Sequence, residues 1–89
     1  MDADEARTVL AAELAKLRPL SHAALVERLL GNEETSEVRG PSGASYQVEL
    51  QAFWDDRPGG TLRVVGAVDD GGVRAFAPLT DDFLVPPGE

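Results

Sequence analysis

Three Asp-Asp pairs punctuate the second half of this 89-residue chain: Asp55-Asp56, Asp69-Asp70 and Asp81-Asp82. Paired carboxylates do general acid–base work when a pocket drives their pKa values apart. Clustered carboxylates also hold hard cations such as Ca2+. The residues around them argue for a plainer role. Gly59-Gly60 and Gly71-Gly72 follow the first two pairs, and glycine beside a short polar residue is the chemistry of tight turns. Carboxylates in solvated turns keep ordinary pKa values and are poor general acids at neutral pH.

Other catalytic constellations are missing from the sequence. It has no cysteine, which removes thiol nucleophiles, thiolate zinc sites and disulfides. The single histidine, His22, falls in the first turn of an expected helix, where the dipole disfavours its charged form. With one His and no Cys, transition-metal ligation is poor. "GPSG" at 40–43 is not followed by a helix pattern, so it is not a phosphate loop, and neither "DDRPGG" nor "VDDGG" matches an EF-hand loop. We therefore expect no catalytic residues, no cofactor and no dedicated metal site. The exception to weigh is a weak divalent-cation site at Asp55, Asp56, Asp81 and Asp82.

Net charge is −8, from sixteen acids against eight bases. Such a chain is repelled by nucleic-acid phosphates and anionic membranes, and favours a basic protein surface if charge decides the partner. The acidic N-terminus, with no apolar run after it, does not look like a signal peptide, and no stretch is long enough to span a bilayer. These features lead us to expect a cytoplasmic protein. A composition rich in Ala, Arg, Gly, Asp and Val with one lysine, Lys16, suits a high-GC bacterium.

Hydrophobic residues make up 43% of the chain, enough for one domain with one small core. The elements that would position the acids divide in two. Residues 1–31 are rich in Ala, Leu, Glu and Arg. Val9, Leu10, Leu14 and Leu17 recur at helical spacing, predicting a helix from Ala3 to Arg18 that Pro19 ends. Ser21 is a good N-cap for a second helix over 22–30, and Gly31 is the expected residue after it. Residues 36–79 alternate as strands, with 80–89 as a C-terminal tail. The expected fold is α+β: an N-terminal helical hairpin packed on one face of a four-stranded antiparallel β-meander, strand order 1-2-3-4.

Turns set the expected registers. A loop at 41–43 opposes Val38 with Tyr46. The loop around 55–59 opposes Ala52 with Leu62 and Leu50 with Val64. A two-residue turn, Asp70-Gly71, opposes Val68 with Val73 and Leu62 with Leu79, giving edge strands at 36–40 and 73–79. Opposed residues share a face, and these registers agree on one apolar face for the helices.

Two candidate surfaces follow. The helix-free face carries Phe53, Val65, Ala67, Phe76, Arg63, Arg74 and Glu49, with Val65 expected opposite Phe76. It is a candidate contact for a protein partner or a second copy, the chain being a monomer or a weak homodimer. One end of the sheet gathers Glu33, Glu34, Asp55, Asp56, Asp81 and Asp82 as an acidic pole. The leading functional expectation is a small non-catalytic protein-interaction or regulatory module. The alternative is a cation- or small-ligand-binding domain that uses the acidic pole.

Overall fold

The computed structural model describes residues 2–71 and 78–88. Helix α1 (Ala3–Ala15) begins at Asp2, whose carboxylate accepts from the N–H groups of Asp4 and Glu5 and so satisfies two orphan donors. It ends one turn earlier than the apolar spacing predicts. Pro19 disfavours helical backbone at residue 18, and the chain tightens into i→i+3 bonds, Leu17 N–H to Leu14 and Leu20 N–H to Leu17. Leu17 stays buried in this turn. Helix α2 (His22–Leu29) is capped by the Ser21 hydroxyl, which accepts from Ala24 N–H at 3.1 Å, and Gly31 leaves it at φ +74°.

The sheet comprises β1 (Glu34–Arg39), β2 (Ser45–Trp54), β3 (Leu62–Asp69) and β4 (Leu79–Val85), antiparallel throughout in the order β1-β2-β3-β4. Both helices pack on one face, α1 against β3 and β4 and α2 against β2. The α+β architecture and the choice of inner face are as the sequence predicts. The core contains Leu10, Leu14, Leu25 and Leu29 from the helices and Tyr46, Val48, Leu50, Ala52, Leu62, Val64 and Val68 from the sheet.

Three expectations are corrected. The strand that pairs with β3 is 79–85, so residues 80–85 of the expected 80–89 tail belong to β4. Val68 faces Leu79, Val64 faces Phe83 and Leu62 faces Val85. Asp69 Oδ1 accepts from Gly71 N–H at 2.7 Å and Gly71 takes φ +80°, while Gly72, the expected closing partner of Asp69, lies outside the described residues. Residues 73–77 of the expected strand at 73–79 lie outside the described residues. Two aspartates made "LTDDFLV" a poor strand by propensity, but an edge strand tolerates them. An inward-directed charge such as Asp81, opposite Gly66, also discourages edge-to-edge pairing.

The β2–β3 register is shifted by two residues. Leu62 faces Trp54, Val64 faces Ala52, and Leu50 faces Gly66 instead of Val64. A slide of two keeps every side chain on its face, so the core was identified correctly with the wrong partners. The reason lies in the loop: Asp55 N–H bonds Thr61 C=O at 2.8 Å, and Asp56 Oδ1 accepts from Arg57 N–H and Thr61 N–H, which carries the pairing one step further. The Val38–Tyr46 pairing stands as expected.

Gly66 sets how closely α1 approaches. A Cβ there would lie 2.7 Å from Leu10 Cδ1 and 3.1 Å from Leu14 Cδ2, so the glycine admits two leucines of α1 against the backbone of β3.

Candidate functional site

The helix-free face is a grid of three rows along β2, β3 and β4. Phe53, Arg63 and Leu84 form the first row, Gln51, Val65 and Asp82 the second, and Glu49, Ala67 and Thr80 the third. Gln47 and Asp69 follow on β2 and β3. Glu37 on β1 faces Gln47, and Thr35 faces Glu49. Phe53 and Leu84 are 50% and 49% exposed, the exposed large apolar side chains among the described residues. The sequence pattern does not point to Leu84, because it predicts a tail at 80–89. With β4 placed at 79–85, period two puts it on this face.

Of the expected interaction residues, Phe53, Arg63, Val65, Ala67 and Glu49 do share the face. Val65 faces Asp82 and Gln51, not Phe76. Phe76 and Arg74 lie outside the described residues. Glu49 sits directly opposite Ala67.

Arg63 organises the first row. Its Nε and Nη2 donate to Asp55 Oδ1 at 2.9 and 2.6 Å, and its Nη1 donates to Asp82. The hydrogen bonds from Arg63 to Asp55 and then Asp82 hold its guanidinium pKa above the ordinary arginine value. The result is an apolar–charged–apolar strip in which the Arg63 charge is matched by two carboxylates.

The six acids of the expected pole do not converge as a unit. Asp55 and Asp82 meet at Arg63. Asp56 caps its own loop, and the Arg57 N–H it accepts holds its pKa below the usual carboxylate range. Glu34 forms a two-pronged pair with Arg28 of α2, Oε2 to Nε at 2.7 Å and Oε1 to Nη2 at 2.9 Å, which lowers its pKa. Glu33 accepts from Gln51 Nε2. Asp81 lies within β4 and accepts from Asp82 N–H at 2.8 Å. Among the described residues, no three His, Cys, Asp or Glu side chains are grouped to hold a metal ion.

Two structural junctions escaped the sequence reading. At the hairpin end, the Glu5 carboxylate accepts from Tyr46 Oη (2.6 Å), Ser42 Oγ (2.7 Å) and Ser42 N–H (2.8 Å). These bonds, Tyr46 first, hold Glu5 below the carboxylate range, and the same Glu5 contact pushes Tyr46 up to about 12. The available signal was Tyr46 itself, since a tyrosine assigned to a core needs a partner for its hydroxyl. At the opposite end, His22 Nε2 lies 2.8 Å from Gly60 C=O, and because a carbonyl only accepts, Nε2 carries the proton. The His22 ring lies 5.8 Å from that of Trp54.

Beyond Leu84 the face runs into a shallow groove of about 400 Å³ between the helix corner and the end of β4, lined among others by Leu20, Phe83, Leu84 and Pro86. Arg18 rests its guanidinium over the Phe83 ring at 4.5 Å, a cation–π contact. Comparison with protein families, with curated proteins and with solved structures finds no match.

Proposed function

We propose that this chain is a non-catalytic protein-interaction module that receives a basic partner on the outer face of its sheet. The observation that carries the proposal is the first row: Phe53 and Leu84 stand exposed on either side of an Arg63 matched by two carboxylates, on the face the helices leave open. Exposed apolar anchors rimmed by polar side chains are the usual composition of a contact site. The surrounding carboxylates of Glu33, Glu37, Glu49 and Asp69 supply the charge that would steer a basic surface to it. The same proposal places the module in the bacterial cytoplasm. The cation-binding alternative draws less support, because Asp55 and Asp82 already serve Arg63 and Asp56 its own loop.

The test compares wild type with the Phe53→Ser, Leu84→Ser double variant. Proteins retained by the wild type at low salt are identified, purified and titrated against both forms by calorimetry. The expected result is a one-to-one complex that weakens with salt and falls at least about tenfold in the double variant, as loss of central anchors does. A complex indifferent to both substitutions removes the outer face from the function.

A further inference from the structure

We infer that the occupant of the outer face is a basic amphipathic helix lying along the strands, with its apolar residues over Phe53 and Leu84 and its Lys or Arg residues over Glu49 and Glu37. This rests on the interaction reading above and adds an occupant, a direction and a spacing.

The face is polarised along the strands. At the Phe53–Leu84 end the carboxylates of Asp55 and Asp82 are already engaged by Arg63, and Arg18 adds positive charge just beyond Leu84. Four residues along β2, Glu49 opens the acidic half, followed by Glu37 and Asp69. Among the described residues no Lys or Arg pairs with those three acids. Gln47 donates to Glu37 at 3.4 Å, while Arg39, the cation past that row, donates to Gly43 C=O. A cationic side chain therefore gains little at the first end and meets uncompensated carboxylates at the second.

A groove adjoins the apolar end. Leu84 is shared with the groove beside Phe83 and Pro86, so an anchor placed on Leu84 has somewhere to extend. Between the two ends, Val65 and Ala67 keep the middle of the face low, since neither carries a long side chain. Phe53 on β2 and Leu84 on β4 stand two strand spacings apart, about 10 Å, which is close to the diameter of a helix with its side chains. Four residues of strand span about 14 Å. A helix covers that distance in about nine residues. The partner's apolar anchor and its first basic residue should therefore be about two and a half turns apart.

Two synthetic helical peptides of identical composition test this on the full chain. In one, a Leu-Phe pair lies about nine residues from a Lys cluster on the same face. In the other, the pair and the cluster share one turn. The spaced peptide should bind at least about fivefold more tightly. It should shift the amides of 47–53, 63–69 and 80–84. Phe53→Ser with Leu84→Ser should weaken it at every salt concentration. Glu37→Gln with Glu49→Gln should weaken it severalfold at low salt and flatten the salt dependence. Equal binding of the two peptides, or no effect of the Glu variants, overturns direction and spacing while leaving the outer-face reading to its own complex. Shifts confined to the outer edge of β1 or β4 would mean strand addition instead of a helix. No binding of either peptide at millimolar concentration overturns the occupant. Only indifference of the purified complex to the two serine substitutions brings down the interaction reading itself.

Discussion

The two faces of the sheet come from the same four strands, one residue out of phase, and they behave differently under substitution. The inner face is closed at its centre: Leu10 and Leu14 of α1 lie against Gly66, and the buried cluster joins both helices to the sheet. The outer face is open and depends on ion pairs, with Arg63 gathering Asp55 and Asp82 while Phe53 and Leu84 remain half exposed. Stability should therefore reside on one face and recognition on the other, and substitutions can ask how complete that separation is.

The largest effect is expected from Leu50→Ala, which should cost about 2–5 kcal/mol in urea unfolding. Gly66→Val comes next. Its side chain would drive into Leu10 and Leu14, with an expected cost of about 1–3 kcal/mol. Because Leu50 Cδ2 is 3.4 Å from the same added Cβ, the two changes should be non-additive, with the valine better tolerated once Leu50 is alanine. Strict additivity would break the picture of a core closed around that glycine.

An intermediate effect is expected at the Glu5 junction, and pH separates it from simple packing. The folded pKa of Tyr46 lies at about 12, above its ordinary 10.0, so the junction's contribution is complete below that ordinary value and is lost as pH rises through about 12. Glu5 has a lowered folded pKa. Its contribution is present above the ordinary carboxylate value and lost as pH falls through the lowered one. Glu5→Gln should lower the urea midpoint at neutral pH and move the Tyr46 absorbance titration down towards 10.0. An unmoved titration would mean that burial alone, and not the carboxylate, raises Tyr46. The smallest stability change belongs to the outer face. Phe53→Ser and Leu84→Ser should each stay within about 0.5 kcal/mol of wild type while weakening partner binding. A large loss of stability from either would show that the open face also carries part of the fold.

The sequence made the fold class and the inner face legible because both rest on periodicity, and a register slide of two residues preserves face assignment. It did not reveal which residues oppose which. The Asp55–Thr61 backbone bond that extends the β2–β3 pairing depends on how Asp56 caps its loop, a detail that turn composition alone does not fix. The residues that pair with β3 differ from expectation for a related reason. "VRAFAPL" alternates more convincingly than "LTDDFLV", yet edge position and the pairing of Asp82 with Arg63 make the second sequence a strand. Much of the outer face was still readable, since Phe53, Arg63, Val65, Ala67 and Glu49 depend only on β2 and β3. Leu84, which belongs to β4, was not.

The chain has one tyrosine and one tryptophan, and β2 carries them at its two ends. Tyr46 reads the junction where α1 is tied to the first hairpin through Glu5, and Trp54 reads the junction where α2 meets the β2–β3 loop through His22. Nature has thus labelled each end of the longest strand with a chromophore of its own. Tyrosine absorbance and tryptophan fluorescence, followed through the same denaturation, report whether the two ends melt as one body or the seam at either helix opens first.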